Sequence, residues 1–165
     1  MISEATKARF AREVAKYPAD QKQSAVMACL SIVQQEQGWV SPEAEKDVAE
    51  YLGMPAIAVH EVTTFYNMYN QQPVGKFKLN VCTNLPCLLR DGKNAAEYLS
   101  KKLNVELGGT TADGLFSLQE CECLGACADA PVMLVNDRQM CSFMTPERLD
   151  ALVEELTAAA KQGVK

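Results

Sequence analysis

Two close pairs of cysteines limit what this chain can fold into. Cys82 and Cys87 form C-x4-C, Cys123 and Cys127 form C-x3-C, and a long stretch separates the pairs. Each pair follows a segment that reads as a strand. Phe77, Leu79 and Val81 alternate with Lys78 and Asn80 up to Cys82, and Phe116 to Glu120 leads into the second pair. For the four thiols to act together, the fold must bring two loops to one place. Soft thiolates select iron–sulfur clusters, zinc or copper(I), and two sulfurs per iron from two loops suit a bridged [2Fe-2S] centre. Zinc accepts the same pair spacings, so cysteine spacing alone leaves the metal open. Buried structural thiols are the remaining reading, because free cysteine is among the most buried residue types. A two-iron centre would make the chain a handler of single electrons, not a catalyst of bond chemistry.

The other thiols are read differently. Cys121 complicates the assignment, because with Cys127 it would form C-x5-C; ending its strand, it is more easily read as a wall residue. Cys29 falls on an apolar helix face and Cys141 in an alternating strand, both as core thiols. Seven cysteines are present, and the start Met-Ile-Ser-Glu-Ala-Thr-Lys has no apolar signal core. In that setting cysteines read as metal ligands or buried thiols before disulfides. The net charge of −5 argues against nucleic acid, whose phosphates need concentrated Lys and Arg. No apolar run approaches the roughly 20 residues of a membrane span, so no direct membrane insertion is expected.

The chain of 165 residues changes pattern near Gln71-Gln72-Pro73-Val74-Gly75. Residues 1–72 read as a small helical bundle, expected to dock a partner, and residues 73–165 as an α/β sandwich. The first helix is expected from about Glu4 to Tyr17, stopping at Pro18. Asp20 with Gln23 offers a capping box for the second, whose Val26, Cys29, Leu30 and Val33 share one face and which ends near Gly38. Ser41-Pro42 starts the third, which stops at Gly53, and Pro55 opens a fourth to about Tyr69. Beyond the boundary, Asp91 is expected to cap a helix presenting Ala95, Leu99 and Leu103. Gly108-Gly109 breaks the chain, Val132–Val135 and Met140–Phe143 read as a hairpin, and Thr145-Pro146 starts the last helix.

The loop Cys123-Leu124-Gly125-Ala126-Cys127 has chemical logic: Gly125 allows a tight fold, and small residues let amide N–H groups approach sulfur. Pro131 stands just before an expected strand, where a cis bond is one option, but trans is the usual X–Pro isomer and sequence alone does not decide between them. Gly109 to Gly114 has the glycine spacing of a phosphate loop, but Leu115 and Phe116 stand where Lys and Ser/Thr belong, so it reads as a turn. His60, the single histidine, is expected as a surface or packing residue. Trp39 and the Phe65-Tyr66…Tyr69 cluster are expected in the core, with partner contact through Phe65, Tyr66 and Tyr69 as the second reading.

The sequence Asp113-Gly-Leu-Phe116-Ser117, five residues, Cys123-Leu-Gly125-Ala-Cys127, two residues, Ala130-Pro131 resembles the thioredoxin-like [2Fe-2S] ferredoxin family, in the branch that serves bacterial NADH–quinone oxidoreductase, respiratory complex I, as a small component of its peripheral arm. Val62-Thr-Thr64-Phe65-Tyr66 followed by Pro73-Val-Gly75 is similar to the end of that family's helical domain. The resemblance implies an α+β chain: a helical bundle, then a thioredoxin-like domain with one [2Fe-2S] cluster on Cys82, Cys87, Cys123 and Cys127, leaving Cys121 out. It also implies that FMN and NADH belong to a partner flavoprotein subunit, which exchanges one electron with the cluster, and that other peripheral-arm subunits are partners. It places the chain on the cytoplasmic face of the inner membrane. Related small subunits with the same fold serve NAD-dependent formate dehydrogenases and NAD-coupled hydrogenases, which are the alternative hosts. A zinc-stapled module without redox function is the alternative of a different class.

Overall fold

The computed structural model describes residues 2–162. The outer ends of the two expected domains, Met1 and residues 163–165, lie outside the described residues. The chain forms two compact units, Met1–Pro73 and Val74–Lys165.

The first unit is helical: α1 (Glu4–Val14), a 3-10 helix (Ala19–Ala25), α2 (Val26–Gln37), α3 (Pro42–Leu52) and α4 (Ala56–Phe65). Ser3 and Ser41 accept the Thr6 and Ala44 amides, satisfying N–H groups that a helix start leaves unpaired. Gly38 and Gly53 end α2 and α3 in the left-handed conformation that glycine adopts without strain. Phe10, Cys29, Leu30, Val33, Val48, Leu52 and Val59 form the core. His60 lies against Glu45 on α3, with Nδ1 2.9 Å from Oε2, and Thr63 donates to the same carboxylate.

Three readings of this unit are corrected. Asp20 does not cap α2: the 3-10 helix begins after Pro18 without a side-chain cap, and Gln21 is non-helical. Helix α4 stops at Phe65, where Tyr66 turns extended (φ −96°, ψ 109°). The aromatic cluster therefore divides. Tyr69 is buried and donates its hydroxyl to the Met27 carbonyl, whereas Phe65 is 79% exposed and Tyr66 remains partly exposed. Trp39 is only half-buried.

The second unit contains β1 (Phe77–Cys82), α5 (Leu85–Leu88), α6 (Gly92–Leu103), β2 (Phe116–Cys121), β3 (Met133–Val135), β4 (Gln139–Cys141) and α7 (Pro146–Lys161). The sheet order is β2-β1-β3-β4. Strands β1 and β2 are parallel, with Phe77 opposite Phe116 and Cys82 opposite Cys121. β3 pairs antiparallel with β1 and with β4. A parallel pair needs a crossover, and α6 supplies it. Phe77, Leu79 and Val81 of β1 and Phe116 and Leu118 of β2 pack with Ala95, Ala96 and Leu99 of α6 and Leu149, Leu152, Val153 and Leu156 of α7.

β1 is buried along its whole length, not half-buried as its alternation implies. Lys78, 2% exposed, is paired with Asp137 at 2.6 Å, and Asn80 donates to the same carboxylate. Asp137 sits with Asn136 in the β3–β4 turn, both at positive φ, a turn that suits Asn and Asp. A buried ammonium is tolerable only with such a partner. Among the described residues no helix is long and apolar enough to cross a membrane.

Candidate metal centre

Because β1 and β2 run in the same direction in register, both leave the sheet at its carboxyl edge. That shared edge brings the two cysteine loops together. Cys82 is the last residue of β1, and its amide donates to the Val132 carbonyl at 3.1 Å. Thr83 N donates to the Cys121 carbonyl at 3.3 Å, fastening the two strand ends. The chain then enters α5, one helical turn with Pro86 in its first positions, which carries Cys87. Sequence reasoning misses this turn. Asn84 followed by Pro86 is its signal, since Asn favours helix starts and Pro is tolerated in the first turn.

Gly92 lies directly behind this loop. A Cβ there would stand 2.8 Å from the Cys87 carbonyl oxygen and 2.9 Å from that of Cys82, closer than any side chain tolerates. Asp91 precedes α6 as expected, but at φ 68° and without capping through its side chain, which accepts from Asn94 instead.

The second loop is built otherwise. Gly125 takes φ 80°, and its amide donates to Cys123 Sγ at 3.4 Å. The Cys123 and Cys127 sulfurs are also 3.4 Å apart. Cys127 opens a 3-10 turn to Asp129. The Ala130–Pro131 bond, which sequence leaves undecided, is cis, and Met144 N donates to the Pro131 carbonyl at 2.9 Å. Two side-chain bonds join the loops: Asn84 Nδ2 to Glu122 Oε2 at 2.6 Å, and Thr83 Oγ1 to Glu120 Oε1 at 2.5 Å.

The thiols differ in surroundings. Cys82 and Cys87 are 2% and 1% exposed, in an apolar cluster with Ala130 and Val132, against which Cys121, Leu124 and Ala126 pack. Cys123 and Cys127 are exposed. Burial pushes the Cys87 thiol up, because a thiolate there loses water, and the neighbouring Cys82 and Cys127 charges add to the rise. The Gly125 amide and then Cys127 hold Cys123 below the ordinary thiol range. Cys127 is raised by Cys123 beside it and by the Cys82 charge. Leu124 and Ala126 of the second loop pack against the cluster that holds Cys82 and Cys87, so the two pairs are neighbours. Cys121, beyond hydrogen-bonding help, is pushed by burial up to about 12. Cys29 is likewise raised by burial to about 12, and Cys141, half-buried against the sheet core, is raised for the same reason.

Among the described residues no three Cys, His, Asp or Glu side chains converge on one ion position. The donors stand as two pairs. On a tetrahedral ion with sulfur bonds of about 2.3 Å, two thiolates stand about 3.8 Å apart, close to the 3.4 Å of Cys123 and Cys127. Thiolate donors in pairs, with an amide aimed at one sulfur, fit a bridged two-iron group.

Residues 10–157 match the model of the family described as thioredoxin-like [2Fe-2S] ferredoxin. The chain is 41% identical over 147 residues to an NADH-quinone oxidoreductase subunit of Thermus thermophilus, covering 89% of this chain and 81% of that protein. It is 40% identical over 144 residues to an NADH-quinone oxidoreductase subunit of Rickettsia bellii, covering 87% and 86%. In fold it is similar to a chain of a crystalline NAD+-reducing [NiFe]-hydrogenase in the air-oxidized state, with a TM-score of 0.69 at 20% identity. That match covers 81% of this chain but only 23% of the hydrogenase chain. The family match runs from α1 into α7 and takes in both cysteine loops, and on that ground the chain belongs to the thioredoxin-like [2Fe-2S] ferredoxins.

Proposed function

We propose that this chain is the electron-transfer subunit of an NADH–quinone oxidoreductase, exchanging one electron between its [2Fe-2S] cluster and the FMN of an adjacent flavoprotein subunit. The observation that carries the reading is the pairing of four thiols at one sheet edge, in a chain about 40% identical to two such subunits over most of its length. Cys82 and Cys87 would hold one iron, and Cys123 and Cys127 the other. Cys121 takes no part as a ligand. When bound, the cluster supplies a site for one electron at a time.

The chain's own residues set the conditions there. The apolar cluster around Cys82 and Cys87 keeps water from one side. The Gly125 amide stabilises negative charge on Cys123 Sγ. Thr83 and Asn84 tie the first loop to Glu120 and Glu122 beside the second, fixing the separation of the pairs. NADH gives up a hydride, two electrons together, so a flavin on the partner must divide them. FMN and NADH therefore belong to that partner. The first unit offers it Phe65 and Tyr66, both left uncovered at the end of α4. In that assembly the chain sits in the peripheral arm, on the cytoplasmic face of the membrane.

The test mixes anaerobic protein with NADH and follows bleaching of the visible spectrum. NADH alone leaves the spectrum unchanged, and addition of the flavoprotein partner bleaches it, with dithionite as the control. Rapid bleaching by NADH without the partner overturns the division of labour. A colourless protein that copurifies with zinc overturns the cluster itself.

A further inference from the structure

We propose that in the cluster-free protein Cys123 and Cys127 are a thiol-oxidation site, closing to a reversible disulfide on reaction with a small disulfide of the glutathione class.

Seven thiols are available, and only one pair combines proximity with access. The Cys123 and Cys127 sulfurs stand 3.4 Å apart on an exposed loop. A disulfide requires about 2.05 Å, so the sulfurs must close by about 1.4 Å. The loop has room for it: Gly125, between them, has no neighbouring atoms on the side where a Cβ would stand. Its amide donates to Cys123 Sγ at 3.4 Å. Cys82 and Cys87 are also adjacent, but at 2% and 1% exposure no tripeptide disulfide reaches them. Cys29 is fully buried. Cys121 and Cys141 are half-buried on different strands.

The chemistry balances within the pair. One thiolate attacks a sulfur of glutathione disulfide, forming a mixed disulfide and releasing one glutathione thiolate, which takes up a proton. The second thiolate then attacks the protein sulfur of that mixed disulfide and releases the second glutathione. The protein loses two electrons and two protons, and one glutathione disulfide becomes two glutathione molecules. The consequence drawn for cluster loading rests on the ligand reading given above; the oxidation itself does not.

The experiment takes the full chain, stripped of metal by chelation under reducing conditions and then transferred to anaerobic glutathione disulfide. Free thiols are trapped with N-ethylmaleimide and counted by intact mass. The expected result is a loss of two of the seven thiols, fragmentation that joins Cys123 to Cys127, and full return of both thiols with dithiothreitol. Cys121→Ser behaves as the parent does. Cys127→Ser stops at a stable glutathione adduct on Cys123, so the reaction is followed even where no ring can close. No loss of thiols, or a bond to Cys121, Cys82 or Cys87, overturns the proposal.

A second arm adds iron and sulfide to the oxidised protein. Colour forms only after dithiothreitol if the pair are ligands. Equal colour with and without dithiothreitol, alongside a mapped Cys123–Cys127 bond, leaves the oxidation site standing and removes Cys123 and Cys127 from the ligand set.

Discussion

The two cysteine loops differ in how they are held, although both leave the same sheet edge. The first starts on a strand buried along its length, passes through a helical turn and rests on Gly92, with Cys82 and Cys87 inside an apolar cluster. The second hangs between a strand end and a 3-10 turn, with Cys123 and Cys127 in solvent and a left-handed glycine between them. A two-centre ligand set need not be uniformly rigid. One pair can be fixed by the core while the other adapts, provided that the linkage between loops keeps them within reach.

Replacing the four proposed ligands tests this contrast most severely. Serine is a harder, poorer ligand for iron than thiolate. Cys82→Ser and Cys87→Ser, which cannot shift to compensate, are expected to yield protein without visible or EPR signals. Cys123→Ser and Cys127→Ser, on the adaptable loop, are expected to keep a weakened centre with altered signals. Cys121→Ser, Cys29→Ser and Cys141→Ser leave the spectrum normal. Identical loss at all four ligand positions breaks the distinction, and loss in Cys121→Ser with a normal Cys123→Ser overturns the ligand set.

The next effect concerns the core beneath the rigid loop. Leu79→Ala, at a fully buried β1 position, is expected to cost about 2–5 kcal/mol in denaturant unfolding. Leu89→Ala, 75% exposed just beyond α5, should change stability by less than about 0.5 kcal/mol. The two glycines give a finer comparison. Gly92→Ala forces backbone carbonyls apart and should cost about 1–3 kcal/mol while perturbing the spectrum. Gly125→Ala meets no atoms and carries only the left-handed penalty, about 1–2 kcal/mol. A larger spectral change in Gly125→Ala would reverse the assignment of the rigid loop.

The smallest effect is one of reactivity. In cluster-free protein, the lowered Cys123 thiol should react with iodoacetamide first, at a rate that rises with pH from below the ordinary thiol range. Cys121 and Cys29, raised by burial to about 12, should stay unlabelled until the chain unfolds. Mass spectrometry of tryptic peptides across a pH series gives the order, and early labelling of Cys121 contradicts it.

Much of this fold is encoded locally. Ser41-Pro42 and Gly53 bound α3 because caps and left-handed stops act within a few residues. The alternation in β1 correctly sorts Phe77, Leu79 and Val81 onto the helix-covered face. It misjudges Lys78, because two-sided burial depends on Asp137, which reaches it from a turn nearly sixty residues away. Asp20 fails as a cap because the chain leaves Pro18 in a 3-10 helix, a choice between two hydrogen-bond spacings that composition does not settle. At the site, the two pairs are visible as spacing. Their unequal burial is not, since it comes from Val132 and Ala130 flanking the cis Pro131 junction. Gly92 is invisible for a similar reason: nothing in its neighbours announces that two carbonyls will stand where its side chain would be.

The parallel register that sets Cys82 beside Cys121 also has a consequence in time. The strand leading into one pair and the strand leading to the other are separated by α5, the whole of α6 and the loop after it. Contacts that distant in sequence form only after the intervening chain has been closed. A nascent or partly folded chain therefore offers its thiols two at a time, and four together only once the crossover has docked. On the ligand set proposed above, a centre on all four thiols would form only after the crossover has been made.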